Sequence, residues 1–434
     1  VFIPKFPFKM ETLASIRLAL RENDWLTSID LKDAYFHIPI HHNSRPYLRF
    51  VWEKKTYQFK ALCFGLSTAP YVFTRVFRLV STLAHQHGHR LYRYLDDWLL
   101  AAQSPQAATA ATQFVLKICN QLGLIVNREK SELEPTQRTI FLGMQINTVQ
   151  FKVRPSEDRL SRLGAALQSI SHGDAATAKT YLRVMGHMAS LEKLIPLARL
   201  QIRPIQQHLA DNWSTDQDME TEIPMSLKAL ESIQWWKNRE NLTTGVRIHP
   251  SQPDHLLYTD ASMAGWGAHV ADLRAQGLWS QQERSWHINA LELEALWRGL
   301  QVFRSKLRKS HVVAMTDNTT VVAQIKNQGG TVSRKLTQQT TELLNWTQTQ
   351  QITLTARHIP GHLNVIADSL SRSSQLLPGE WSLNPNVCRR LWKIWGRPNI
   401  DLFALSTNNK LPLYVSPVAD EQAIGLDGLS QQWN

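Results

Sequence analysis

The sequence has few cysteines. Cys63, Cys119 and Cys388 are the only three in 434 residues, and they lie far apart without metal-type spacing. A disulfide scaffold and a cysteine-rich zinc module are therefore excluded, and a reducing compartment fits. No stretch approaches the roughly 18 to 20 apolar residues that a membrane helix needs, so no membrane partner is expected. The opening Val1-Phe2-Ile3-Pro4-Lys5 has no basic region, apolar run or small-residue cleavage site, unlike a secretory leader. Internal repeats and low-complexity tracts are also missing. Acid is the scarcer charge: 36 Asp+Glu stand against 48 Lys+Arg, a net +12. That surplus favours an anionic partner, nucleic acid first. An apolar fraction of 43% supplies real cores. At roughly 150 residues per domain the length suggests about three of them, in a protein expected inside the cell, cytoplasmic or nuclear.

Periodicity divides the chain. Residues 25 to 30 (WLTSID) read as a buried strand ending in a carboxylate, and 47 to 59 as a hairpin around Glu53-Lys54-Lys55-Thr56. From Ala69 to His85 apolar residues recur at helical spacing. Strand, tight turn and strand follow around Leu95-Asp96-Asp97, then an Ala-rich helix from Ala107 to Leu122 ended by Gly123, then a strand from Ile140 to Ile146. Residues 156 to 210 are mostly helical, with Gly173 and Pro196 as punctuation. Residues 211 to 254, polar and interrupted by Pro224, Pro250 and Pro253, read as a tether. A second alternation of strands and helices runs from His255 to about Ser373.

Asp30 at a strand end and Asp96 with Asp97 in a hairpin turn form the first acidic set. Adjacent carboxylates repel, so such a site calls for divalent cations, and Mg²⁺ prefers oxygen ligands. Asp96-Asp97 alone also reads as an ordinary surface turn. The order Asp30, Tyr35, FGLSTAP (64 to 70), YLDD (94 to 97), Lys130 and FLG (141 to 143) resembles the reverse-transcriptase palm. SIDLKDAYFHIPI (28 to 40) is most similar to DIRS-type retrotransposons within that family. The resemblance implies that Asp30 and Asp96 hold metal, with Asp97 assisting them or supporting the turn. It makes Tyr35 the gate against a ribose 2′-hydroxyl, and places Phe64-Gly65 beneath the incoming nucleotide and template base. Lys130 matches the lysine that protonates leaving pyrophosphate, although a solvated lysine fits the charged Arg128-Glu129-Lys130 run as well. Phe141-Leu142-Gly143 matches the primer grip. The helical 156 to 210 stretch would be the thumb, with Arg183, Lys193, Arg199 and Arg203 as phosphate contacts or a solvated face.

The second acidic set is Asp260 in YTDAS, followed by Gly265 and Gly267 as a glycine-containing turn, then Glu292, Asp317 and Asp368. Four acids spread over about 110 residues prove nothing alone. Their order and settings resemble ribonuclease H, whose Asp-Glu-Asp-Asp cluster binds two Mg²⁺. Glu292 is preferred to Glu294, which lies two positions on and faces elsewhere on a helix. His362, in RHIPGH (357 to 362), stands where that family has a mobile histidine, or is a surface histidine.

Other signals are weaker. HQHGH (85 to 89) reads as a loop rather than a metal site, and Trp235-Trp236 as a tether packing onto a domain rather than a stacking platform. The tail, with Trp381, a strand-like Ile400-Asp401-Leu402-Phe403-Ala404, Tyr414 and Trp433, is similar to the start of a phage-type adenine methyltransferase segment. The resemblance places Asp401 at a strand end near the methyl donor, but the catalytic motif does not follow and no methyl transfer is expected. A structural extension of ribonuclease H fits equally.

The expected architecture is multidomain α/β and α+β. It comprises a right-hand polymerase with partial fingers and palm (1–154), helical thumb (155–210), tether (211–254), ribonuclease H-like domain with a five-stranded mixed sheet (255–374) and an extension (375–434). The implied activities are RNA- and DNA-directed DNA synthesis and RNA cleavage, with two Mg²⁺ per site, or Mn²⁺ in their place. Implied partners are RNA template, DNA primer, RNA–DNA hybrid, dNTPs and other segments of the element's polyprotein. Only seven residues precede Phe8, whereas the family's triphosphate-clamping fingers lie upstream of FKMETL (8 to 13), so weak polymerisation is expected without them. The competing reading is a domesticated copy that only binds nucleic acid. Decayed carboxylates would favour it, and all seven are present.

Overall fold

The computed structural model describes residues 6–8, 10–171, 175–372, 383–406, 408–420 and 422–431. Gly173, Trp381 and Trp433, singled out above, lie outside them. The chain begins α1 (Leu13–Ala19), β1 (Trp25–Asp30), β2 (Arg49–Trp52), β3 (Lys55–Gln58), α2 (Ala69–Gln86), β4 (Arg90–Tyr94), β5 (Asp97–Ala102) and α3 (Pro105–Gln121). Next come β6 (Glu132–Thr136), β7 (Arg138–Phe141), β8 (Met144–Asn147), β9 (Lys152–Pro155), α4 (Glu157–Ser171), β10 (Ala175–Thr177), α5 (Ala178–Leu191) and α6 (Ala198–Asn212). Then follow β11 (Glu222–Pro224), α7 (Leu227–Lys237), α8 (Arg239–Thr243), β12 (Val246–Arg247), β13 (His255–Ala261), β14 (Gly265–Val270), β15 (Leu273–Leu278) and α9 (Ile288–Val302). The remainder is α10 (Arg304–Leu307), β16 (His311–Thr316), α11 (Thr319–Asn327), α12 (Arg334–Thr349), β17 (Thr353–His358), α13 (Val365–Arg372), α14 (Pro385–Trp395), β18 (Val415–Ser416) and β19 (Gly425–Leu426).

Two compact units emerge. The first takes Val1–Asp174, Leu182–Pro196 and Ile233–Pro250; the second takes Ala175–Tyr181, Leu197–Ser232 and Ser251–Asn434. The first is built on a sheet of order β4-β5-β1-β6. Strand β5 is buried on both faces because its residues alternate between two cores. Trp98 and Leu100 join Phe73, Phe77 and Val115 from α2 and α3. Leu99 and Ala101 join Ile16, Leu26, Met144 and Ile146. Apolar residues on both sides of one strand are what a central strand needs.

The expected single strand from 140 to 146 is instead a hairpin. Phe141 and Met144 are paired, and Leu142-Gly143 between them both take positive φ (49° and 70°), the requirement of a two-residue hairpin turn. The 211–254 stretch also differs from a bare tether, since it holds β11, α7, α8 and β12. Trp236 is fully buried, so its indole serves packing, whereas Trp235 is half-buried.

In the second unit a five-stranded sheet has order β15-β14-β13-β16-β17. Strand β13 is antiparallel to β14 and parallel to β16, so the sheet is mixed. Its core joins Leu257, Trp266 and Ala268 to Leu291 and Leu296 of α9 and Leu343 of α12. Gly265 and Gly267 lie in β14, not in a turn. A Cβ at Gly267 would stand 2.4 Å from the Ala367 carbonyl oxygen, so the missing side chain lets α13 lie against the strand.

Val418 and Ala419 of the extension pack on that same core. The expected strand at 400–404 does not form. Asp401 makes only an isolated bridge to Tyr414, and its carboxylate accepts the Lys410 backbone N–H at 3.1 Å. A carboxylate turned back on its own loop in this way ends the extended run.

One buried polar knot ties the first unit together. Asp24 is wholly buried; it accepts the Arg21 N–H at 2.7 Å, and its carboxylate also takes Arg90 and the Gln103 amide. Its carbonyl accepts the Thr148 hydroxyl at 2.6 Å. Asp24→Ala strands the Arg90 guanidinium, and urea denaturation should register a loss of about 3 to 5 kcal/mol. The Asp24→Leu/Arg90→Leu pair should lose less, because no charge is left unpartnered.

Candidate active sites

The first acidic set gathers at one end of the β4-β5-β1-β6 sheet. Tyr94 pairs with Asp97, so Leu95 and Asp96 form the two-residue turn between β4 and β5, with Leu95 at φ 54°. The Trp98 indole N–H braces that turn by donating to the Leu95 carbonyl at 2.9 Å. Asp30 and Asp97 are register partners across β1 and β5, and the Leu31 N–H donates to the Asp96 carbonyl at 3.2 Å. All three carboxylates are half-buried.

Their mutual charge is legible in their acidity. Burial first, then Asp96 and Asp30, push Asp97 up to about 6, while Lys130 works in the opposite direction. Burial raises Asp30 also; Lys130 lowers it, Asp96 raises it and an Asn127 hydrogen bond lowers it. The loop carrying Lys130 is pinned there: Asn127 N–H donates to the Asp30 carbonyl at 2.8 Å, and Asp30 N–H to Ser131 Oγ at 3.0 Å.

Tyr35 and Phe64 pack against each other with ring centroids 4.9 Å apart, and Tyr35 also meets Phe73 at 5.4 Å. Burial raises the Tyr35 phenol, and Asp96 and Tyr94 add to that rise, so its ring lies within the field of the acidic set. Phe64 is 59% exposed, and Gly65 takes φ 83° with nothing within 4 Å of a would-be Cβ. The two residues offer an exposed apolar surface next to Tyr35. Arg159 of α4 was not singled out in the sequence. Its guanidinium donates to the Leu142 carbonyl at 2.9 Å and lies in the space a side chain at Gly143 would fill.

The second set is tighter. Ligand oxygens of Asp260, Glu292 and Asp317 all lie within 4.8 Å of one another. Asp260 comes from β13 and Glu292 from α9, while Asp317 follows β16. The Asn318 side chain caps α11 by accepting the Thr320 and Val321 N–H groups and donates to Asn289 Oδ1 at 2.9 Å, which fixes Asp317 against the start of α9. Ser371, also missed in the sequence, donates its hydroxyl to Asp260 Oδ2 at 2.5 Å. Asp368 lies outside the trio and pairs with Arg372 at 2.7 Å, though its charge still raises Asp260.

Burial, then Asp260 and Asp317, push Glu292 up to about 9. Burial likewise lifts Asp260 to about 6. Glu292 Oε2 is buried without a hydrogen-bond partner among the described residues. An orphaned carboxylate oxygen facing two further carboxylates fits a divalent, oxygen-preferring cation. Glu294 faces elsewhere and pairs with Arg298 at 3.2 Å. His362 is exposed on the turn after Gly361, where a Cβ would stand 2.8 Å from Asp317 Oδ2.

Other expected residues are committed elsewhere. His85 lies in the last turn of α2, not a loop, with its ring against the Leu91 carbonyl. His87 and His89 pack on Phe114. Arg199 and Arg203 hydrogen-bond Asn327, and Arg203 also reaches the Gly329 carbonyl. Arg183 donates to Ser169 Oγ at 2.8 Å.

Two carboxylate centres, one on a hairpin-centred sheet and one on a mixed five-stranded sheet, define a polymerase fold followed by a ribonuclease H-like fold. Residues 2–146 match the family described as reverse transcriptase (RNA-dependent DNA polymerase), and residues 258–374 the family described as reverse transcriptase-like. The chain therefore carries a reverse transcriptase domain and a reverse transcriptase-like domain. Among its relatives, the enzymatic polyprotein of cauliflower mosaic virus (strain CM-1841) is 24% identical over 69% of this chain and 43% of its own length. That of figwort mosaic virus (strain DxS) is 25% identical over 81% and 51%. The chain thus spans about half the length of these relatives or less. A foamy viral protease-reverse transcriptase solved with double-stranded DNA shares the fold at TM-score 0.52 and 15% identity, over 82% of this chain and 61% of its own. No helix among the described residues is long and apolar enough to cross a membrane.

The raised Glu292 sets a pH dependence. An unfolded glutamate ionises near 4.5, whereas the folded one keeps its proton to about 9. Between those values the folded state binds more protons, so stability falls as pH rises and levels off above about 9. Asp260 adds a smaller fall between its ordinary 3.8 and about 6. Thermal scans in a chelator should show Glu292→Gln melting higher than the parent at about pH 8, with the gap closing towards about pH 4.

Proposed function

We propose that the chain is an RNA- and DNA-directed DNA polymerase with ribonuclease H activity, the reverse-transcribing region of a DIRS-type retrotransposon. The observation that carries this is the presence of both carboxylate centres, intact, on the two matched domains of one chain. The DIRS assignment rests on SIDLKDAYFHIPI (28 to 40) alone. The divisions at 154, 210, 254 and 374 are part of the same proposal, with 211–254 a folded connector.

In this reading Asp30 and Asp96 hold two Mg²⁺, or Mn²⁺, while Asp97 supports the turn. Asp260, Glu292, Asp317 and Asp368 hold the second pair. Bound there, the ions lower the pKa of an attacking hydroxyl or water and offset charge on the leaving oxygen. The protein's share is positioning. The β4–β5 turn and the β1 end fix the carboxylates, and Tyr35 closes the sugar side of the nucleotide site. Phe64 and Gly65 support the base pair, and Lys130 stands ready to give a proton to pyrophosphate. In the second centre the Gly361 turn brings His362 to the rim, where it can exchange protons with the leaving group. Template RNA, DNA primer, their hybrid and dNTPs are the partners. The foamy viral neighbour bound to double-stranded DNA supports a duplex in this list.

Paired substitutions separate the activities. Asp96→Asn should cut primer extension by at least about 100-fold, about 2.7 kcal/mol of barrier, while leaving hybrid cleavage intact. Asp317→Asn should do the reverse. Loss of both activities from either change would refute independent centres. Tyr35→Ala should admit ribonucleotides; unchanged sugar discrimination removes Tyr35 from the gate.

A further inference from the structure

The first unit carries a cationic surface that neither carboxylate centre uses. Its sheet of order β12-β9-β8-β7 turns one face inward, where Phe141, Met144, Ile146 and Val153 join a core. The alternate residues face out. Register places Arg138 opposite Asn147, Asn147 opposite Lys152, and Lys152 opposite Arg247. One transverse row therefore reads Arg, Asn, Lys, Arg across four strands. The neighbouring row adds Arg154, whose Nε donates to Gln145 Oε1 at 2.7 Å.

The four cations are exposed, and none of these strands contains an Asp or Glu. Among the described residues no carboxylate pairs with any of the four. A cleft of about 230 Å³ is lined by Arg138, Lys152 and Arg154, with Gln150 and Thr244 also on its wall and no acid in its lining. Four like charges on one small sheet repel one another. The fold places them together without compensation.

We propose that this face is a second nucleic-acid surface, which holds the phosphodiester backbone of a duplex through residues that belong to neither carboxylate centre. Three strand-to-strand steps of about 4.8 Å make the row about 14 Å long. One strand of a duplex presents a phosphate about every 3.4 Å of axial rise, so about four phosphates span it. The interleaved side-chain amides of Asn147, Gln145 and Gln150 carry N–H groups able to donate to phosphate oxygens, and Gln145 Oε1 accepts from Arg154. No exposed aromatic ring lies in the row, so the surface offers no platform on which unpaired bases could stack. The proposal rests on the polymerase reading only for the choice of nucleic acid as the polyanion.

The test measures binding of the full chain to a labelled RNA–DNA hybrid by fluorescence anisotropy, in a chelator, across a salt series. R138Q/K152Q/R154Q/R247Q should bind at least about tenfold more weakly at low salt, and its log–log salt slope should be shallower by about three. The charge-preserving R138K/K152R/R154K/R247K should behave as the parent. If the fourfold neutral variant fails to fold, K152Q/R247Q should show about half the change in slope. An unchanged slope in a folded neutral variant overturns the proposal. So does polyglutamate that competes as well as hybrid through the same four residues, since the partner is then an acidic protein. Primer extension, run in parallel, keeps the two readings apart. Extension with an unchanged slope removes the surface alone, and a lost slope in a parent that neither extends a primer nor, once Mg²⁺ is supplied, cleaves the hybrid removes the proposed function alone.

Discussion

Repulsion between carboxylates that the backbone forces together is the constraint around which both units are built. At about 4 Å, two unit charges cost about 1 kcal/mol in water and several times more where burial lowers the local dielectric. No chain places Asp260, Glu292 and Asp317 within 4.8 Å of one another as a by-product of packing. The cost is visible in Glu292, pushed up to about 9 by burial and by its two acidic neighbours. Rigid elements have to impose such a site. The parallel strand β16, the antiparallel pair β13–β14 and helix α9 each deliver one acid or its support from a packed core.

The two centres meet this constraint differently. In the second unit Asp260 and Glu292 are buried, Asp317 is half-buried, and neutral side chains brace them. The Ser371 hydroxyl satisfies one oxygen of Asp260, and the Asn318–Asn289 pair locks the approach of Asp317, while Glu292 Oε2 is left open. In the first unit the acids sit half-exposed on a turn and a strand end. A lysine in the neighbouring loop offsets part of their charge. Water and Lys130 thus do there what serine and asparagine do in the buried site. A half-exposed centre leaves room for a large ligand, whereas the more enclosed trio sets its geometry before any ligand arrives.

Much of this was legible in the residues. Alternation of apolar side chains marked β1, β4 and β5, and helical spacing marked α2 and α3, because burial on one or both faces leaves a period in the sequence. The motif order named Asp260, Glu292 and Asp317, which the structure brings together, and also Asp368, which pairs with Arg372 outside the trio. Short-range φ requirements were less legible. Leu142-Gly143 turns one expected strand into a hairpin, and nothing in the apolar run IFLGMQI reveals this except a single glycine. Gly265 and Gly267 read as a turn, yet they lie in β14, where Gly267 admits α13 and Gly265 the backbone of β15. The 211–254 segment is polar overall and still folds, since Ile233 and Trp236 are buried deeply enough to anchor it. Arg159 and Ser371 had no sequence signal, as each acts through a contact between residues distant along the chain.

The net +12 gains a sharper meaning from this arrangement. A centre made of carboxylates repels phosphates until cations occupy it, so it cannot supply the attraction that brings a polyanion to the protein. That attraction has to come from charge placed outside the centres, at distances where screening still permits it to act, about 8 to 10 Å at physiological salt. Arg199 and Arg203, although basic, are already engaged by Asn327 and Gly329 and have part of their donor capacity committed to the fold. The Arg138, Lys152, Arg154 and Arg247 face is different, because among the described residues no carboxylate pairs with it and Arg154 is held by the Gln145 amide, which a phosphate oxygen can displace. On the proposed function, separating acids from bases in this way would let catalysis and grip be set independently: removal of a carboxylate is expected to change the chemistry, and removal of a surface cation to weaken the hold on a duplex.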